Sequence, residues 1–354
     1  MGVWYATRED VKEALDSKET ARNNGRIDRA LESASRSVEG QLHRRFYPQT
    51  ATRYWDWPNE QTARPWRLWL DESDLISVSA LSSGGTTIDA SAYILEPNRS
   101  GPPYSRIELK LSTSASFGGG STHQRDITVT GLWGYRNDEA FVADVDEAMT
   151  TTETDLDVTT SAGIGVGSVL RVGSERLIVT GKTMKDTGVA IDVSDALTAS
   201  AADVSLTVST LTGAPVVDEV ILIDSERMLV VDVAGSVLTV KRAWDGSVLA
   251  AHTAGARIYA PRTLAVSRGA LGTTAATMSA GDDVYRWSPP GPVQALTVAE
   301  ASNLLLQEAA GYARTVRAQT GTGTRSISAV TAALEELRTQ VYASHGRKAR
   351  TRAV

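Results

Sequence analysis

The 354-residue chain contains no cysteine, which excludes a disulfide scaffold, thiolate metal sites and a cysteine nucleophile. It also lacks any run of about 18 apolar residues, so no segment is expected to span a membrane. The opening stretch, MGVWYATREDVKEALD, has no basic flank followed by an apolar run, and no signal peptide is expected there. Histidine is scarce: His43, His123, His252 and His345 stand far apart, none with a second histidine or a cysteine three or four residues on. Charge of one sign is not in excess either. The 36 basic and 42 acidic residues leave a net charge of −6, which gives no global attraction to nucleic acid or anionic membrane.

What is present divides by periodicity. The ends carry helical spacing and the long middle carries strand spacing. Thr7 and Asp10 form a capping-box pattern that opens a short helix over residues 9–16. Asn23-Asn24-Gly25 reads as a turn. Ile27, Leu31, Ala34, Val38, Leu42 and Phe46 then form one stripe of a helix that Pro48 stops. From Thr50 to Tyr135 the period becomes two, as in Ile107-Glu108-Leu109-Lys110-Leu111 and Ile127-Thr128-Val129-Thr130. Phe117-Gly118-Gly119-Gly120-Ser121 is the best candidate for a mobile loop. A short helix is expected over residues 138–149.

Residues 150–288 repeat themselves at two offsets. Val169–Val179 matches Val220–Val230, each reading as strand, polar turn and strand. Arg242, Gly246, Ala250, Gly255 and Tyr259 match Arg268, Gly272, Ala276, Gly281 and Tyr285. Such repetition points to small duplicated β-modules, one or two barrels or sandwiches. The shared Ser-Glu-Arg turns at 174–176 and 225–227 read as surface Glu–Arg pairs, worth little each. Ser288-Pro289-Pro290-Gly291-Pro292 marks a boundary. Thr297 with Glu300 reads as the capping box of a helix over residues 298–317, and a last helix covers residues 327–343.

The motifs that could carry chemistry fail. Gly181-Lys182-Thr183 lacks the first glycine of a phosphate-binding loop, because position 176 is arginine. Gly163-Ile164-Gly165-Val166-Gly167 breaks the dinucleotide fingerprint at Ser168. There is no Gly-x-Ser-x-Gly elbow. No cofactor and no metal are expected, and the chain reads as a non-enzyme. Trp55, Trp57, Trp66 and Trp69 form a dense group that suits a sheet core or subunit interface, or sugar stacking in a carbohydrate-binding module.

The helix pair with Ala14, Leu15, Ile27, Leu31, Val38 and Phe46, then Tyr47-Pro48, the strand Ile127–Tyr135 and a late helix before a basic end form a recognisable pattern. It resembles the head-to-tail adaptor (connector) family of long-tailed bacteriophages, over about residues 1–145 and 290–354. The resemblance implies an α+β fold: a helical adaptor core formed by the N- and C-terminal helices, with a large inserted β-rich region. The expected domains are 1–149, the β-insertion 150–288, and 289–354 completing the core.

The implied function is a virion neck protein, assembled in the host cytoplasm. Its implied partners are a portal protein, a neck stopper or tail-completion protein and further copies in a ring of about twelve around passing double-stranded DNA, with heterologous contacts that close. Arg347, Lys348, Arg350 and Arg352 are the implied portal-binding residues. Leu304, Leu305, Leu306 and Tyr312 are candidates for the contact between subunits, because three consecutive leucines spread around a helix. The alternatives are another tail or baseplate subunit, or a carbohydrate-binding β-module protein.

Overall fold

The computed structural model describes residues 2–15, 23–61, 63–99, 101–309, 315–317 and 324–348. Among the described residues the fold is mostly β-sheet, with 35% strand against 22% helix in four helices. The helices are α1 (Arg8–Ala14), α2 (Asn24–Leu42), α3 (Gly291–Ala309) and α4 (Ile327–His345). The expected helical adaptor core is therefore not seen, and the bulk of the buried apolar side chains lies between strands. Helical spacing at the ends does form helices, but the helix expected over 298–317 ends earlier, with Thr315–Arg317 in a strand, and four helices do not outweigh the strand content of the middle.

Several boundaries differ for identifiable reasons. The capping box at Thr7 and Asp10 is present. The second helix begins inside the expected turn, at Asn24, and ends at Leu42, where His43 turns left-handed at φ 51°. Thr297 is not a cap, because α3 already starts at Gly291, with Pro292 in its first turn where a missing N–H costs nothing. Residues 139–144 form a strand rather than a helix, and Ala143 and Val145 point into a barrel. The glycine-rich loop is held down: Gly118 N donates to Ser83 Oγ (2.9 Å) and Gly120 N to Asp126 Oδ1 (2.9 Å).

The chain divides into two compact units. One comprises Arg36–Asp138, Ser288–Leu296 and Ala332–Val354. Its strands are β1 (Gln49–Trp55), β2 (Arg67–Trp69), β3 (Leu75–Ser83), β4 (Thr86–Thr87), β5 (Tyr93–Glu96), β6 (Arg106–Leu109) and β7 (Ile127–Trp133). They form a sheet in the order β1-β7-β3-β4 and a second in the order β2-β6-β5. In β7 burial alternates strictly, so Ile127, Val129, Gly131 and Trp133 face the core. Gly131 has no room for a side chain, since a Cβ there would collide with the Ser77 carbonyl.

The other unit comprises Met1–Ser35, Glu139–Trp287 and Thr297–Thr331. Its main strands are β8 (Glu139–Asp144), β9 (Asp155–Asp157), β10 (Val169–Val172), β11 (Glu175–Ala190), β12 (Ser205–Thr207), β13 (Val220–Ile223), β14 (Glu226–Ala234), β15 (Val237–Lys241), β16 (Arg257–Ser267) and β17 (Asp283–Trp287). A short pair, β18 (Thr315–Arg317) and β19 (Thr324–Ser326), follows. The pairings resolve into two closed six-stranded antiparallel barrels. Barrel A runs β8-β17-β10-β11-β16-β9 and closes through a Val145–Val158 bridge. Barrel B runs β11-β16-β13-β14-β15-β12 and closes through an Ile191–Val208 bridge.

The long strands β11 and β16 serve both barrels. Residues 178–183 of β11 pair with 263–267 in barrel A, and residues 185–190 pair with 257–260 in barrel B. The two sequence repeats are thus two parts of one duplicated module. The first half of A is followed by all of B, and then by the second half of A. The cores match position for position, for example Val145 with Ile191, Leu156 with Leu206, Leu177 with Met228 and Val284 with Ile258.

Candidate interaction site around the C-terminal arginines

Segments far apart in sequence converge where α4 ends. Arg347 N donates to the Leu42 carbonyl (2.9 Å), which ties the end of α4 to the end of α2. The Phe46 ring lies 5.4 Å from Tyr135, and Tyr135 lies 5.8 Å from His345. Asp74 is buried beneath them and takes two guanidinium groups, Arg44 Nε at 3.0 Å and Arg347 Nη2 at 2.7 Å. Arg347 Nη1 also donates to the Asp71 carbonyl (2.8 Å). Arg44 and Arg136 stack on Tyr135 at 5.0 and 5.9 Å. Arg53 lies 4.4 Å over Trp133 and donates to Ser73 Oγ.

Positive charge is concentrated here. Burial lowers the pKa of Arg53, and the nearby Arg45 and Arg347 lower it further against the pull of Asp74. Burial likewise lowers His345, with Arg44 and Arg136 adding to the effect. Arg53 and His345 thus feel neighbouring guanidinium groups across a partly desolvated surface, where screening is weak. An anionic side chain or phosphate docking here would relieve that repulsion.

Of the expected portal-binding residues, Arg347 is a structural clamp as well as a surface cation, and Lys348 is exposed. Arg350 and Arg352 lie outside the described residues. Among the leucines, Leu305 is buried in a cluster with Trp4, Val11, Ile27 and Leu31, Leu304 packs against that cluster and Leu306 is half-buried. Tyr312 lies outside the described residues.

The other motifs resolve into structural roles. Trp57 packs on Phe117 at 5.3 Å, Trp55 on Trp133 at 5.7 Å, and Trp69 lies under Arg106 at 5.2 Å, so these rings are engaged inside the unit. Gly181-Lys182-Thr183 lies within β11, and Lys182 Nζ donates to the Ile164 carbonyl (2.7 Å). Among the described residues no group of three or more acidic or histidine side chains could hold a metal, and no helix is long and apolar enough to cross a membrane.

The Ser-Glu-Arg turns are not surface pairs. Glu175 and Glu226 are fully buried, and each pairs with an arginine from the second repeat instead of its neighbour. Glu226 accepts from Arg242 Nε and Nη2 (2.8 Å each), Ala243 N (2.8 Å) and Ala250 N (3.0 Å). Glu175 accepts equivalently from Arg268 Nε and Nη2 (2.8 Å each), Gly269 N (2.8 Å) and Ala276 N (2.9 Å). Burial pushes the Glu226 carboxyl up, but Arg242, the two backbone N–H groups and His252 outweigh it and hold it at about 2. The signal was in the repeats themselves, which carry the glutamate in one half and the arginine in the other.

A groove of about 820 Å³ runs along α1 and both barrels, lined by residues including Lys12, Lys182, Asp218, Arg227, Trp244 and Arg286. Its charges are mixed. Comparison with family models, curated proteins and solved structures finds no match for this chain.

Proposed function

We propose that the chain is a structural subunit of a tailed-phage neck, one member of a ring of about twelve that docks beneath the portal. In this reading it extends the DNA channel and presents a platform to the next neck or tail protein. The observation that carries the reading is the convergence at Asp74. The segments behind the adaptor resemblance, namely the end of α2 with Phe46-Tyr47-Pro48, the Trp133-Gly134-Tyr135 end of β7 and the end of α4, pack together there. The chain continues from that point into Lys348, Arg350 and Arg352. The reading rests on this meeting of segments and not on a helical core.

A carbohydrate-binding role is less well supported, because Trp55, Trp57 and Trp69 stack on the unit's own side chains. The test is electron microscopy of the protein mixed with its portal. Rings on the portal are expected for the unmodified chain and loss of attachment for the triple variant Lys348→Glu, Arg350→Glu, Arg352→Glu. Arg347 is left in place because it clamps the fold. Normal attachment by the triple variant sinks the tail assignment, and absence of any ring sinks the neck reading.

A further inference from the structure

The duplicated barrels provide an internal control for surface composition. In barrel A the loop after β9 is covered by the chain's own N-terminal segment. Arg8 N donates to the Val166 carbonyl (3.0 Å), and Val166 N donates to Glu9 Oε2 (2.8 Å). Val166 is only 2% exposed and packs with Trp4, Ala6 and Val11. Gly165 and Gly167 permit this approach. A Cβ at Gly165 would stand 2.6 Å from Thr7 and Glu9, and one at Gly167 would stand 2.5 Å from Trp4.

The equivalent loop of barrel B follows β12 and keeps the same backbone pattern. Gly167 N donates to Val179 O (2.8 Å) in A, and Asp218 N donates to Val230 O (2.9 Å) in B. Ser168 N donates to Gly165 O in A, and Glu219 N to Val216 O in B. Val217 is thus the counterpart of Val166, yet it is 42% exposed. Beside it, Val216, Leu211, Val231 and Val233 are exposed as well. Their counterparts in A are Gly165, Ser161, Thr180 and Lys182. At all four positions barrel B carries an aliphatic side chain where A carries a glycine or a polar residue, and the fifth stays valine.

Aliphatic residues replacing polar or small ones on an uncovered face is the reverse of what solvent exposure favours. We propose that the face formed by Leu211, Val216, Val217, Val231 and Val233 is the docking surface for an amphipathic helix of a partner protein. The interface already built in barrel A, where the segment around α1 lies on the equivalent loop, sets the kind of occupant. The N-terminal segment of a second copy is excluded in that pose, because Val216 and Asp218 stand where Gly165 and Gly167 admit Thr7, Glu9 and Trp4. The inference rests on the duplication and stands apart from the neck reading.

The test titrates the full chain with a synthetic amphipathic helix of about fourteen residues, with leucines at three- and four-residue spacing, followed by calorimetry and amide NMR. Saturable binding is expected, with perturbations confined to residues 209–218 and 230–237. The variant Leu211→Ser, Val231→Thr, Val233→Lys carries barrel A's own residues, and should keep its fold and lose at least about tenfold in affinity. A peptide of residues 3–15 should not bind the unmodified chain but should bind Val216→Gly, Asp218→Gly. No saturable binding, perturbations elsewhere, or equal binding by the triple variant overturns the proposal. So does self-association of the unmodified chain that the triple variant abolishes, which would make a second copy the occupant.

Discussion

Barrels A and B share a strand order, a Glu–Arg clamp and most core positions, and one linked pair of residues beside the clamp sets them apart. The tight turn before the clamp glutamate is Gly173-Ser174 in A and Asp224-Ser225 in B, with Gly173 at φ 55° and Asp224 at φ 51°. The core position after the clamp is Met278 in A and His252 in B. In B the two changes meet. His252 Nδ1 lies 2.7 Å from Asp224 Oδ2, and Nε2 lies 2.9 Å from Glu226 Oε2. Asp tolerates the left-handed backbone better than most residues, and at Asp224 it supplies a carboxylate that reaches His252. The lesson is that the clamp belongs to the module, whereas the histidine link belongs to one copy.

The comparison can be broken most severely at the clamp. Glu226→Ala leaves the Arg242 guanidinium buried without its carboxylate, and about 3–5 kcal/mol of stability should be lost. Glu175→Ala should act in the same direction in barrel A. Urea unfolding monitored by hydrogen exchange tests whether either loss melts both barrels, as the shared strands β11 and β16 require. Melting of one barrel alone would show that the two are energetically separate.

Acid provides a graded version of that experiment. The folded pKa of Glu226, about 2, lies below its ordinary value of 4.5, and Glu175 and Glu219 are lowered too, each by its arginine and backbone N–H partners against the upward push of burial. A lowered carboxyl stabilises the fold above its unfolded pKa, and the contribution fades as pH falls from about 4.5 toward 2. Stability measured by denaturant titration should drop through that window, below the milder decline near pH 6.5 that the lowered His345 adds. A flat profile down to pH 2 would show that the clamps contribute no linkage.

The smallest expected effect isolates the histidine link. Asp224→Gly and His252→Met each install barrel A's residue. A double-mutant cycle should give a coupling of about 1 kcal/mol. Zero coupling would make the 2.7 Å contact incidental.

Much of this fold was legible from periodicity and repetition. The Val169–Val179 and Val220–Val230 hairpins form as the alternation and polar turns indicate. The capping box at Thr7 forms because a threonine hydroxyl and an Asp10 carboxylate satisfy amides within one turn. Residues 139–144 form a strand where the sequence predicts a helix, because a short alanine- and valine-containing run satisfies either period until β17 pairs with it.

The partner of each buried charge was not legible. Glu226 adjoins Arg227 in sequence, yet its carboxylate turns inward to Arg242, because the hairpin places successive side chains on opposite faces of the barrel wall. Arg347 looked like part of a free basic tail until Asp74, hundreds of residues earlier, was found beneath it. By itself the sequence determined most of the local elements, the absence of cysteine chemistry and the presence of internal repeats. Tertiary structure alone decided that one barrel is threaded inside the other, which acids meet which bases, and which copy of a repeated loop is left uncovered. Backbone spacing and side-chain period act over a few residues, whereas burial and ion pairing depend on which distant segment arrives.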